Sequence, residues 1–237
     1  MNIPIVNTDQ AIQLLRKGEV IAYPTETVYG LGADATNAQA VQKIFDLKGR
    51  SDQSPISVLV SSFEVLAKCV KPFPMRVQEL MDQFWPGPLT LVFEAKENVF
   101  PQELLAGTGK IGIRMSSDPV AQELCTEFGL PLTTTSANPS GKVPARSVEE
   151  VQKYFDLGHC ESAEGGRGNP ATKWPLLGVS APAGSFHFAH DDTRLAGIVD
   201  NGERNSKQVS TVLDVTSEPF KIIREGKISR AKLKGYL

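Results

Sequence analysis

The sequence predicts an α/β fold, with helices flanking a largely buried sheet. Short apolar runs bounded by Gly and Pro alternate with segments of helical apolar spacing. No internal repeat interrupts that alternation, and 237 residues, 41% of them hydrophobic, suffice for one large core. A single domain over residues 1–237 is therefore expected, with a flexible insertion at 157–195. No stretch approaches the roughly 18 unbroken apolar residues of a membrane span. The opening MNIPIVNTDQ lacks the cationic start and apolar core of a secretion signal. Cys69, Cys125 and Cys160 never form a CxxC pair, which argues against a disulfide framework and a cysteine zinc cage. The expected setting is cytoplasmic. A net charge of −2 offers nucleic acid no global attraction, so any RNA contact needs a local basic patch.

Thr8 opens a helix in which Ala11, Ile12, Leu14 and Leu15 recur at helical spacing, and Gly18 closes it. Residues 20–23 form a short apolar strand that feeds a loop carrying Thr25, Glu26 and Thr27. Asn37 suits the cap of a helix with Ala40, Val41, Ile44, Phe45 and Leu47 on one face, and Gly49 can end it in a left-handed turn. Residues 56–60 read as a strand, Ser61 and Glu64 have capping-box spacing, and residues 75–84 read as a helix. The WPGP turn at 85–88 launches a strand at 89–93, followed by another at 110–115. Pro119 starts a helix through Phe128, and a strand at 132–135 enters the polar SANPSG segment at 136–141. Periodicity dissolves from 157 to 195 into Gly, Pro, Ser and Ala, as in a long loop. Strands return at 197–199, 209–215 and 220–224, and a basic tail ends the chain.

Two readings fit Lys48 and Arg50. They offset the negative end of a helix dipole, or they converge on one anion, phosphate above all, from two positions facing the same side of an extended chain. The second reading expects both cations to be solvated beyond the helix end when no ligand is bound. Ser136 and Asn138 offer a hydroxyl and an amide at the same spacing, although such a pair also serves as a turn or cap. Gly30 to Ala35 (GLGADA) matches a relaxed dinucleotide fingerprint, but the polar PTET before it argues against that use. The GTGK at 107–110 is no Walker loop, because Leu104 and Ile111 stand where glycine and a magnesium-binding hydroxyl belong.

In order along the chain stand PTETVYGLG, KGR, WPGPLT, GIRM, TTTSANPSG, and STVLDV with IIREG. This set resembles the YrdC-like family, the threonylcarbamoyl-AMP synthases, over about residues 5–155 and 196–230. The resemblance implies a twisted mixed sheet flanked by helices around a deep basic cavity. It also implies formation of threonylcarbamoyl-AMP, pyrophosphate and water from L-threonine, bicarbonate and ATP, for a transfer RNA modification. Residue by residue, the family's phosphate-facing tetrad falls on Lys48, Arg50, Ser136 and Asn138, with Arg224, Ser54 and Lys110 also on the nucleotide side. Its threonine pocket falls on Thr27, Arg114, Thr134 and Ser210. Magnesium is implied as a companion of the triphosphate rather than a resident of a protein-built site, and a tRNA or a downstream transferase complex as a possible partner.

The chain departs from the pattern in several places. Many relatives carry a histidine after the KGR motif, whereas SPISVL at 54–59 supplies no imidazole. The stretch after IIREG is too short for the extra C-terminal domain of the longer members. The 157–195 insertion holds all three histidines, His159, His187 and His190, together with Cys160. Adjacent ligands suit a closed zinc site poorly, so a flap that covers the cavity or an inert insertion is the expectation. Two other functions remain open: an RNA-binding module of the same fold, drawing on the basic run from Lys221 to Lys234, and a paralogue acting on a different carbamoyl or acyl acceptor.

Overall fold

The computed structural model describes residues 2–49, 55–156, 194–206 and 208–237. Arg50, Ser54, His159, Cys160, His187, His190 and residues 157–193 of the expected 157–195 insertion lie outside these residues. The described elements are, in order, β1 (Ile5–Val6), α1 (Thr8–Arg16), β2 (Ile21–Pro24), β3 (Tyr29–Gly32), α2 (Ala38–Lys48) and β4 (Ser57–Leu59). There follow α3 (Phe63–Cys69), α4 (Met75–Phe84), β5 (Leu89–Glu94), α5 (Gln102–Leu105), β6 (Lys110–Arg114) and α6 (Pro119–Phe128). The last are β7 (Leu132–Ser136), α7 (Val148–Phe155), β8 (Gly197–Val199), β9 (Thr211–Asp214), β10 (Lys221–Arg224) and α8 (Arg230–Leu233).

Local chemistry sets most helix ends. Asn7 caps α1 through a capping box with Gln10, so the cap lies one residue before Thr8. Asn37 accepts from the backbone N–H groups of Gln39 and Ala40, and Gly49 closes α2 with φ of 56°. Ser62, rather than Ser61, caps α3, which puts Val65 and not Glu64 at the third helical position. The capping box expected there is therefore out of register.

The ten strands form one mixed sheet in the order β1-β8-β2-β3-β7-β4-β6-β5-β9-β10. Four pairs are parallel (β1 with β8, β2 with β8, β4 with β6, β5 with β9) and the other neighbours are antiparallel. Two apolar clusters cover its two faces, as the period of two along a strand requires. Ala11, Leu15, Leu124 and Phe128 of α1 and α6 pack with Ile21, Tyr23 and Leu59 in one cluster, while Ile44, Phe45 and Leu80 pack with Ala22, Leu31 and Val58 in the other. No helix among the described residues is long and apolar enough to cross a membrane.

The strand β3 was hidden in the sequence by its glycines. Gly30 and Gly32 sit in an antiparallel strand between β2 and β7, not in a phosphate-binding turn that opens a helix. A Cβ at Gly32 would stand 2.7 Å from the Tyr23 ring and 3.3 Å from a Leu132 methyl. Tyr23 cannot easily yield, because it is fully buried and its hydroxyl donates to the Thr133 carbonyl at 3.0 Å. Gly32→Ala is expected to lower unfolding stability by about 1–3 kcal/mol, read from the urea midpoint.

β7 holds the two halves of the sheet together. Its pairing with β4 runs from Leu59–Leu132 to Ser57–Thr134 and stops, while β3 pairs with Thr135 and Ser136. Beyond Thr134 the β4 side of β7 is thus released from the ladder, and a cavity opens there.

Candidate active site

The cavity has a volume of about 550 Å³, within the size range of small-molecule sites. Its walls come from the loop after β2, the end of α2, the starts of β4 and β5, the end of β6, the end of β7 with the turn that follows, and the β9–β10 region. Thr27, Lys48, Arg114, Thr134, Ser136, Asn138, Ser210 and Arg224 all line it. Sequence positions far apart therefore meet at one place. Arg50 and Ser54 lie outside the described residues.

Lys110 is not brought to this cavity. It begins β6, four residues from Arg114 and so roughly 13 Å away along the strand. Its ammonium binds Asp214 Oδ2 at 3.1 Å and Thr216 Oγ1 at 2.6 Å instead. An exposed basic residue near a strand start carries no sequence signal of which end of the strand faces the site.

Thr25 shapes the loop that presents Thr27. Its hydroxyl donates to the Val28 carbonyl at 2.7 Å and accepts from the Thr27 and Val28 N–H groups, a local turn that Ser and Thr favour. The two threonine hydroxyls are themselves 3.0 Å apart. On the far wall, Ser210 Oγ meets Thr90 Oγ1 at 3.0 Å, and Arg224 donates to the Ser210 carbonyl at 3.0 and 3.2 Å. Burial lowers the Arg224 pKa.

Lys48 corrects an expectation. It lies in the last turn of α2, not beyond it, and is only 4% exposed. Its Nζ donates to the carbonyls of Ser136 at 2.6 Å and Asn138 at 2.8 Å, and approaches Asn138 Oδ1 at 3.5 Å. Protein oxygens replace the water that a cation at a helix end was expected to keep. Asn138 Nδ2 in turn donates to the Lys142 carbonyl at 2.6 Å. Lys48 therefore ties the SAN turn to α2 while lining the cavity.

Arg114 is buried beside Glu26, to which its Nη1 donates, and Ser116 Oγ donates to the other Glu26 oxygen. Nη2 reaches Thr134 Oγ1 at 3.4 Å, and Nε is a buried donor without a hydrogen-bond partner. Burial lowers the Arg114 pKa to about 10, which leaves the guanidinium charged at neutral pH. Glu26 and Thr90 stand inside the PTET and WPGPLT motifs and Ser116 directly after GIRM, but nothing in the sequence assigns them a contact; only the fold puts them beside Arg114 and Ser210. Leu59, at the position where the family resemblance implied a histidine, is fully buried in the cluster with Tyr23 and Leu132.

A family model named Sua5/YciO/YrdC and described as "Telomere recombination" matches residues 13–159, well over half of the chain. The chain belongs to the Sua5/YciO/YrdC family. A threonylcarbamoyl-AMP synthase of Halorhodospira halophila is 43% identical over 60% of this chain and 73% of its own length. Another, from Bacillus subtilis, is 35% identical over 96% of this chain and 56% of its own. The P. abyssi Sua5 structure complexed with L-threonine superimposes with a TM-score of 0.80 at 30% identity, over all of this chain and 61% of that one. The chain thus spans little more than half of the longer Sua5/YciO/YrdC relatives it matches. The mixed sheet flanked by helices is the fold of this family.

Proposed function

We propose that the chain makes L-threonylcarbamoyl-AMP, pyrophosphate and water from L-threonine, bicarbonate and ATP. The observation that carries this reading is one cavity holding both a buried arginine with a spare donor and a separate set of phosphate-suited groups, in a family with relatives of that activity. Arg114 takes the threonine carboxylate, since a guanidinium matches it with two donors. Thr27, Thr134 and Ser210 present hydroxyls to the substrate's own hydroxyl and amine. The amine captures CO2 as a carbamate, whose oxygen attacks the α-phosphorus as pyrophosphate leaves. Alignment and charge neutralisation are the main demands of that step. Lys48, Arg50, Ser136, Asn138 and Arg224 supply them, with Ser54 at the nucleotide's edge. Magnesium enters on the triphosphate, held by phosphate oxygens and water. The setting is cytoplasmic, and the product passes to a transferase acting on tRNA.

The test is incubation with ATP, bicarbonate and each amino acid in turn, following pyrophosphate and the AMP adduct. Threonine-dependent release of both is expected. Release that ignores the amino acid would favour another acceptor, and salt-sensitive RNA binding without ATP consumption would favour an RNA-binding module. Lys110→Ala should leave the ATP dissociation constant within about twofold of wild type by calorimetry, because its partners lie outside the cavity.

A further inference from the structure

We infer that Glu26 is a positioning residue that sets the threonine affinity of the cavity by aiming Arg114. This rests on the proposed function above and concerns the same site. Glu26 does not line the cavity; it lies behind Arg114, where a second, outer cavity shares it with Thr25, Arg204 and Lys227. The side chains of Arg114 and Glu26 are 4% and 9% exposed, so neither is free to reorient in solvent.

The five donors of a guanidinium point in fixed directions, so binding one end decides which edge remains. Glu26 takes Nη1, and Ser116 holds the second carboxylate oxygen, which fixes the carboxylate as well as the arginine. The edge left over is Nε with Nη2. Nε has no partner, and Nη2 has only a long bond to Thr134 Oγ1 at 3.4 Å. That edge is the side-on fork that binds a carboxylate with two parallel bonds. Without Glu26 the guanidinium would lose its rear anchor, and the fork would no longer be held beside Thr134. The Thr25 turn fixes the backbone on both sides of Glu26, so Thr27 and the arginine are set by one loop. A substrate hydroxyl and a substrate carboxylate are then read at a fixed separation.

Calorimetry with threonine and with ATP tests this on the full chain. Glu26→Ala is expected to raise the threonine dissociation constant tenfold or more and to leave that for ATP within about twofold. Glu26→Gln keeps an oxygen for Nη1 and an amide that can donate to Ser116, so it should recover most of the threonine affinity. Ser116→Ala should weaken threonine by a few-fold, and it guards against an unfolded Glu26→Ala protein. In an Arg114→Lys background Glu26→Ala should add little. Equal losses for ATP and threonine, unchanged threonine binding in Glu26→Ala, or Gln no better than Ala would overturn the inference alone. Wild-type protein that binds ATP but no amino acid would overturn the proposed function and this inference with it.

Discussion

Lys48→Ala is expected to lower adduct formation by roughly ten- to hundred-fold and to destabilise the fold by about 1–3 kcal/mol. Under the proposed function, the catalytic loss follows from removing a cavity cation assigned to the phosphates. The stability loss follows from its bonds to the Ser136 and Asn138 carbonyls, which a buried alanine cannot replace. Urea unfolding and a pyrophosphate assay on the same preparation separate the two effects. A variant with wild-type stability but no activity would mean that water enters and satisfies the turn. A variant with wild-type activity would remove Lys48 from the phosphate site.

Arg114→Lys is expected to weaken threonine binding by roughly ten- to hundred-fold, with ATP affected far less. A lysine keeps the positive charge that balances Glu26, so the protein should fold, but an ammonium cannot offer two parallel donors. Arg114→Ala is the harsher change. It leaves the Glu26 carboxylate buried without its cation, which costs about 3–5 kcal/mol and would show as a large fall in thermal midpoint. Equal losses of ATP and threonine affinity in Arg114→Lys would contradict the carboxylate role.

Much of this architecture was legible because its signals are local. The cap at Asn37, the helix start at Pro119, the left-handed Gly49 and the apolar runs of β2 and β5 are decided by residues within a few positions of one another. The cavity-lining residues were found through motif order. β3 was missed because its glycines exist to clear the Tyr23 ring, a contact that only pairing with β2 creates. The burial of Lys48 was missed because its acceptors lie 88 and 90 residues away. Glu26 was noticed only as a loop residue, since its arginine is 88 positions distant and its serine 90.

The sheet order also dictates when a ribosome can deliver a finished molecule. β8 lies between β1 and β2, although it is made after all seven strands before it, and β9 and β10 extend the far side later still. Until residues 197–199 emerge, β1 has no neighbour at all and one side of β2 stands bare. Hydrogen bonds such as Tyr29 to the Gly202 carbonyl, 173 positions apart, and Lys227 to the Glu26 carbonyl, 201 apart, close only after residues 202 and 227 have been made. Nascent chains fold from the N-terminus as they appear, and contacts this remote form slowly. The growing protein therefore carries an open, strand-accepting edge until residue 199 has emerged, and that interval is where it is most exposed to misassembly with other chains.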